Sequence, residues 1–193
     1  MIGTPPKREQ DIATPDFAAI AARITRPVVL VGLMGVGKST VGRKLASLLR
    51  RSFIDADEAI AEAAGRSIPE IFETFGEAYF RDGERRVIAR LIDEGHGVIA
   101  TGGGAFIDPA TRATILERGI AVWIDCDIDT LVERTARRDT RPLLNSGDPR
   151  KILTRLAATR APFYGEAPIR IMSENGPHAD TARAIIEAID QWL

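Results

Sequence analysis

The residues best suited to chemistry form one glycine-rich stretch, G-L-M-G-V-G-K-S at residues 32–39, which matches the pattern G-x-x-x-x-G-K-[ST]. Glycines let backbone amides converge on phosphate oxygens, and a helix that opens near Lys38 adds the positive end of its dipole. Lys38 has the length to reach the terminal phosphates of a nucleotide, and Ser39 carries a hydroxyl that can hold Mg²⁺. Because the stretch follows an apolar run and opens an amphipathic pattern, a phosphate-binding loop is favoured over a coincidental glycine turn.

The rest of the chain excludes several classes of nucleotide-binding protein that contain such a loop. No N-K-x-D segment is present, and a GTPase needs one to read guanine. A dinucleotide fingerprint fits poorly, because G-V-G is followed by K-S-T rather than by a third glycine. The apolar run at residues 98–100 ends in T-G-G-G, whereas an ATPase motor usually places an Asp there to hold the Mg²⁺ shell. The acidic residue that helps to hold Mg²⁺ must therefore come from another part of the chain.

Two carboxylates, Asp55 and Asp57, follow the short apolar run that begins at Phe53. If this strand continues through both positions, their spacing of two puts both side chains on one face. One would then address the metal and the other an acceptor hydroxyl. In the alternative interpretation Asp57 only caps the helix that follows, and the spacing alone leaves both open.

Further candidates are a glycine triplet and four arginines. The triplet at residues 102–104 follows a predicted strand, where it permits close approach of the backbone to a ligand or serves only as a flexible turn. Arg81 lies at the edge of an apolar helical stripe, and Arg134, Arg141 and Arg160 are the other candidates. An arginine can hold a carboxylate or phosphate by two parallel hydrogen bonds, although each of these alone would ordinarily be solvated.

The elements that must position these residues are short apolar runs that alternate with helical patterns. This alternation implies right-handed βαβ crossovers and an α/β fold with a parallel sheet covered on both faces, so ligands should bind at the carboxyl ends of the strands. The predicted strands lie at residues 28–31, 53–55, 98–100, 121–124 and 169–172, and the helical patterns at 16–26, 38–50, 58–64, 68–75, 77–93, from 109, 128–136, 151–159 and before the C-terminus.

Composition fits an ordinary globular domain of 193 residues, with 45% hydrophobic and 27% charged residues. The net charge of −1 argues against a general nucleic-acid binder. Cys126 is the only cysteine, so an intrachain disulfide is excluded, and no apolar run is long enough for a membrane span. The first residues lack the apolar core of a signal peptide, so we predict a cytoplasmic protein. Residues 1–26 are expected to be a partly disordered extension, with Asp16 capping a short helix.

In combination, these stretches resemble the shikimate kinase family. The phosphate-binding loop is shared by many kinases, but the ordered set is far more specific and covers the chain from about Pro27 to its end. The matching stretches are G-L-M-G-V-G-K-S-T-V-G at 32–42, D-A-D at 55–57, G-R-S-I-P-E-I-F at 65–72, F-G-E at 75–77, F-R at 80–81, G-G-G-A at 102–105, R-P-L-L at 141–144 and R-A-P-F-Y at 160–164.

The resemblance implies a single P-loop kinase domain over residues 27–193. It would have three α/β/α layers, a five-stranded parallel sheet like that of nucleoside-monophosphate kinases, a helical substrate-binding region at about 57–95 and a lid at about 137–150. The implied reaction transfers the γ-phosphoryl of ATP, with Mg²⁺, to the 3-hydroxyl of shikimate. It gives shikimate 3-phosphate and ADP, in the biosynthesis of chorismate and aromatic amino acids. We expect a monomer that binds neither nucleic acid nor a membrane.

The resemblance also assigns roles to residues. On the nucleotide side, Ser39 and Asp55 would hold the metal, Arg134 would stack on adenine, and Arg141 would approach the transferring phosphate from the lid. On the acceptor side, Asp57 would bind substrate hydroxyls and act as base, while Arg81 and Arg160 would clamp the carboxylate. Predicted ATP-binding residues are Gly35, Val36, Gly37, Lys38, Ser39, Thr40, Arg134 and Arg141; predicted acceptor-binding residues are Asp57, Arg81, Gly103, Gly104 and Arg160; Lys38, Asp57 and Arg141 are the predicted catalytic residues.

Two other functions remain to be separated from this one. A kinase of the same fold for another small metabolite, such as gluconate, would share the loop but would not need a carboxylate clamp of Arg81 and Arg160. A nucleotide sensor without catalysis would not need Asp57 either. The resemblance implies that the loop at residues 173–178 lies on the adenine side, but it implies no particular contact there.

Overall fold

A five-stranded parallel sheet forms the centre of the computed structural model, which describes residues 16–136 and 147–193. The strands are β1 (Val28–Val31), β2 (Phe53–Asp55), β3 (Val98–Ala100), β4 (Ile120–Asp125) and β5 (Ile169–Met172), in the order β2-β3-β1-β4-β5. β1 is central and apolar throughout, and all four of its residues are buried, as a strand covered on both faces requires.

Eight α-helices in the described part of the chain cover this sheet. They are α1 (Phe17–Arg23), α2 (Lys38–Leu49), α3 (Ala56–Ala64), α4 (Ile68–Asp93), α5 (Pro109–Arg118), α6 (Ile128–Ala136), α7 (Pro149–Tyr164) and α8 (His178–Trp192), with a short 3₁₀ turn at Ala105–Ile107. Helices α1, α2 and α8 pack against one another, as do α4 with α5 and α6 with α7. None of the described helices is both long and apolar enough to cross a membrane.

Each predicted strand is present, although β4 is one residue longer at each end than predicted, and the other differences concern the helices. α4 runs through the predicted break, but Gly76 within it has φ 80° and ψ 175°, so the helix is kinked there. α7 begins at Pro149, whose fixed φ suits the first turn, and continues to Tyr164, five residues past the predicted end. Most of the predicted lid, with Arg141, lies outside the described residues.

The end of the N-terminal extension belongs to the packed domain. Asp16 caps α1 by accepting hydrogen bonds from the amides of Ala18 and Ala19, as predicted. Ile20 and Ile24 are buried in the core. Packed structure therefore begins about ten residues before the expected domain start at residue 27, while residues 1–15 lie outside the described part.

Candidate active site

The phosphate-binding loop lies between the end of β1 and the start of α2, at the carboxyl edge of the sheet. Gly35 and Gly37 have φ of 87° and 99°, left-handed values that favour glycine. Gly32 is also required sterically, because a Cβ there would lie 2.3 Å from the carbonyl oxygen of Ile124. The loop can thus follow its tight path only with glycines, which leaves its amides and the α2 N-terminus to face an anion.

Lys38 and Ser39 begin α2, and their side chains contact the phosphate-binding loop and the end of β2, respectively. The Lys38 Nζ is 2.8 Å from the carbonyl oxygens of both Gly32 and Leu33, and the side chain is mostly buried. The Ser39 hydroxyl donates to Asp55 Oδ2 at 2.5 Å. The structure therefore brings the predicted metal pair, Ser39 and Asp55, into direct contact, and Thr40 follows in the same turn of α2.

Asp55 and Asp57 do not share a strand face. β2 ends at Asp55, whose Oδ1 accepts a hydrogen bond from the Asp57 amide at 3.0 Å, so Asp55 is the N-cap of α3. The alternative interpretation, in which Asp57 only caps this helix, is wrong, because Asp57 lies one residue inside its first turn. Because the chain turns into α3 at Asp55, the alternation of side chains along a strand does not extend to Asp57.

The glycine triplet at residues 102–104 lies where the acceptor-side candidates meet. A Cβ on Gly102 would lie 2.8 Å from Asp57 Oδ1, one on Gly104 would lie 2.6 Å from Arg81 Nη2, and one on Gly103 would lie 3.6 Å from Arg160 Nη1. Three side chains from α3, α4 and α7 thus border the same three consecutive residues. Only residues without a Cβ leave room for them at Gly102 and Gly104.

Arg81 is held in place by two carboxylates of its own helix. Its Nη1 donates to Glu84 Oε2 at 2.6 Å, and its Nη2 lies 3.3 Å from Glu77 Oε1. The Glu84 side chain is only 2% exposed. Burial raises the pKa of Glu84, and the hydrogen bond from Arg81 opposes this. Arg81, although half-buried, is therefore oriented by charge-assisted hydrogen bonds toward the glycine triplet.

Arg160 and Tyr164 approach the triplet from α7, one turn apart. Arg160 Nη1 donates to the Gly103 carbonyl at 3.0 Å, and the Tyr164 hydroxyl donates to the same oxygen at 2.5 Å. Tyr164 is buried, and its ring centroid lies 5.9 Å from that of Trp123. Burial raises the pKa of the Tyr164 hydroxyl to about 12, against the opposing effect of Arg160.

Arg134 lies at the opposite, nucleotide end. Its guanidinium donates to the Val36 carbonyl at 3.1 Å, to the Ser173 hydroxyl at 3.1 Å and to the Glu174 carbonyl at 2.7 Å. It therefore ties the phosphate-binding loop to the loop before α8, on the side predicted for adenine. The predicted stacking role and the role of Arg141, which lies outside the described residues, stay predictions.

Two residues of this site had no role assigned from the sequence. Glu84 has a local signal, since a carboxylate three residues after Arg81 lies on the same helix face. Tyr164 stands at the end of the R-A-P-F-Y stretch, four residues after Arg160, but its contact with Gly103 joins positions 61 residues apart. Its function depends on tertiary structure.

A parallel sheet with a glycine loop between β1 and α2, a serine–aspartate pair beside it and a second cationic pocket defines a P-loop kinase of the small α/β/α type. Comparisons with known proteins narrow this class. The family model for shikimate kinase matches residues 34–190. A shikimate kinase of Novosphingobium aromaticivorans is 63% identical over 186 residues, which cover 94% of this chain and 96% of that protein.

Solved structures give the same result. A shikimate kinase from Acinetobacter baumannii in complex with shikimate has a TM-score of 0.82 and 40% identity, covering 88% of this chain and 96% of that one. A gluconokinase from Sinorhizobium meliloti covers 88% of this chain and 94% of its own, with a TM-score of 0.59 but only 16% identity, so it shares the fold alone.

The chain belongs to the shikimate kinase family. The predicted family, fold class, activity and enzyme class are confirmed.

Proposed function

We propose that this chain transfers the γ-phosphoryl of ATP to the 3-hydroxyl of shikimate, with the nucleotide in the loop at residues 32–39 and the acceptor at the glycine triplet. The observation that carries the site assignment is the convergence of one carboxylate and two guanidinium groups, Asp57, Arg81 and Arg160, on residues 102–104. Shikimate is a small polyol with one carboxylate, so it needs both a cationic clamp and a hydroxyl acceptor.

The two arginines and the aspartate bind different parts of the acceptor. Arg81 and Arg160 hold the substrate carboxylate, and each is already fixed by hydrogen bonds, so little side-chain entropy is lost on binding. Asp57 accepts hydrogen bonds from the substrate hydroxyls and takes the proton of the attacking one. Gly103 and Gly104 supply backbone contacts that a bulkier residue would obstruct.

Phosphoryl transfer depends mainly on position and on charge neutralisation. Lys38 neutralises the β- and γ-phosphates from the start of α2, Gly35 to Thr40 supply backbone amides, and Arg141 contributes a further positive charge from the lid.

A bound Mg²⁺ fits the contact between Ser39 and Asp55. A hydroxyl and a carboxylate are oxygen ligands that Mg²⁺ accepts together with phosphate oxygens and water, and their atoms already lie 2.5 Å apart. When bound, the ion would neutralise charge on the phosphates, and Ser39 and Asp55 are the residues that would hold it.

The test is an ADP-release assay with and without shikimate, on the wild type and on Asp57→Asn. We expect shikimate-dependent ADP release in the wild type. In the variant, turnover should fall by about 10²-fold or more while ATP binding is retained, because only the hydroxyl acceptor changes. A sensor without catalysis would release no ADP in response to shikimate. Full activity in Asp57→Asn would refute the assigned role of this carboxylate.

Two wider features belong to the same proposal. The proposed enzyme is a monomer and works in the cytoplasm, where ATP is available. A gluconate kinase is the second candidate. Gluconate also carries a carboxylate, so the clamp of Arg81 and Arg160 would suit it too, but the gluconokinase from Sinorhizobium meliloti is only 16% identical to this chain, against 63% for the shikimate kinase of Novosphingobium aromaticivorans. Running the same assay with gluconate separates the two.

A further inference from the structure

Tyr164 holds one peptide group of the acceptor site. Its hydroxyl donates to the carbonyl oxygen of Gly103 at 2.5 Å, and its ring is buried against Trp123. The hydroxyl has a fixed position because the ring cannot leave the core. It also stays protonated through the working pH range, since burial raises its pKa to about 12. Tyr164 is therefore a permanent hydrogen-bond donor at this carbonyl.

The Gly103 carbonyl also accepts a hydrogen bond from Arg160, but Arg160 is assigned to bind the acceptor as well. Arg160 Nη1 lies 3.0 Å from the Gly103 oxygen, yet its guanidinium is also assigned to the carboxylate of the acceptor. Because Arg160 is expected to shift when it binds the carboxylate, its hydrogen bond alone would not keep the Gly103 carbonyl in one orientation. Tyr164 supplies an anchor that does not change when the acceptor binds.

Because the trans peptide is planar, the hydrogen bond that fixes the Gly103 carbonyl also fixes the orientation of the Gly104 amide on the acceptor side. The Gly103 carbonyl and the Gly104 amide belong to one planar unit and point in opposite directions. A carbonyl fixed toward α7 thus fixes the Gly104 N–H away from α7. The direction of a Cβ on Gly104 leads to Arg81, 2.6 Å away, so this residue lies between the two arginines.

We infer that Tyr164 is a positioning residue for the acceptor site, which holds the Gly103–Gly104 peptide in the orientation that presents the Gly104 amide to the acceptor. This inference rests on the proposed function. It adds a residue that has no assigned contact with either substrate and that acts through the Gly103 carbonyl, which it shares with Arg160.

The test compares Tyr164→Phe, which keeps the ring, with the control Trp123→Phe, which disturbs the same packing but keeps the hydroxyl. We expect the KM for shikimate to rise about tenfold in Tyr164→Phe, with the KM for ATP unchanged. Trp123→Phe should lower the melting temperature without this change in KM. An unchanged shikimate KM in Tyr164→Phe, or an equal rise in Trp123→Phe, would overturn the inference.

A second measurement does not depend on a variant that folds. In the wild type, the amide resonance of Gly104 should shift when shikimate is added, and its hydrogen exchange should slow because the N–H then gains an acceptor. A Gly104 amide whose resonance and exchange rate both stay unchanged when shikimate is added would also refute the inference. If the wild type fails to phosphorylate shikimate at all, the proposed function fails first, and the two failures are thereby distinguished.

Discussion

Replacing Gly104 with alanine should disable the carboxylate clamp while leaving the fold intact. The new Cβ would lie 2.6 Å, 2.7 Å and 2.9 Å from three atoms of the Arg81 guanidinium, whereas ordinary contact begins at 3.4 Å. The guanidinium must therefore retreat by about 0.8 Å. It can do so, because it is the far end of a flexible side chain. The backbone at Gly104, with φ −99° and ψ −17°, accepts alanine without strain.

We expect Gly104→Ala to weaken the binding of the acceptor. A displacement of this size breaks the alignment of a charge-assisted hydrogen bond, worth about 2 kcal/mol, so the KM for shikimate should rise about 30-fold. The free energy of unfolding should change by less than about 1 kcal/mol, since the lost alignment is partly offset by the lower entropy of the unfolded alanine chain. Steady-state ADP release and urea unfolding measure the two quantities.

Gly83→Ala is the matched control, because this glycine lies in α4 with Arg81 and a Cβ there would meet nothing within 4 Å. It should stabilise the helix by roughly 0.5–1 kcal/mol and leave both KM values unchanged. A wild-type KM for shikimate in Gly104→Ala, or an equal rise in the KM for ATP, would show that the Arg81 guanidinium does not hold the acceptor carboxylate.

Three further predictions concern stability, pH and metal. Gly42→Ala places a Cβ 2.5 Å from the Phe53 ring and should lower the free energy of unfolding by about 1–3 kcal/mol in urea, and an unchanged midpoint would show that the α2–β2 contact is loose. An unfolded tyrosine loses its proton near pH 10 but Tyr164 keeps it to about 12, so this stabilisation is complete below pH 10 and is lost as pH rises toward 12. The wild type should therefore lose about 1.4 kcal/mol per pH unit more than Tyr164→Phe in this window, and parallel stability curves would contradict the burial argument. Asp55→Asn should raise the Mg²⁺ concentration for half-maximal ADP release about tenfold, whereas an unchanged Mg²⁺ titration would remove Asp55 from the metal site.

The nucleotide half of the site could be predicted from the sequence because it is local. An apolar strand, a glycine loop and the first turn of α2 are contiguous over residues 28–40, so one pattern specifies the backbone path and the side chains together. The apolar runs also predicted the five strands, since strands buried on both faces contain few polar residues.

The acceptor half depends on contacts that no local pattern contains. Asp57, Arg81 and Arg160 come from three helices and meet only where β3 ends, so their convergence followed from a family resemblance rather than from spacing. Strand alternation was the wrong rule for Asp57, because the Asp55 cap ends β2 earlier. The burial of Glu84 beside Arg81 and the Tyr164 contact with Gly103 depend on the packing of α4 and α7, which a single sequence does not reveal.

The most direct test of the central claim compares shikimate with its methyl ester, which keeps the ring and hydroxyls but loses the charge that Arg81 and Arg160 are placed to hold. ADP-release kinetics should give a KM for the ester at least about 100-fold above that for shikimate, since two charge-assisted interactions are lost. Equal KM values for the two compounds would contradict the assignment of the two guanidinium groups as a carboxylate clamp.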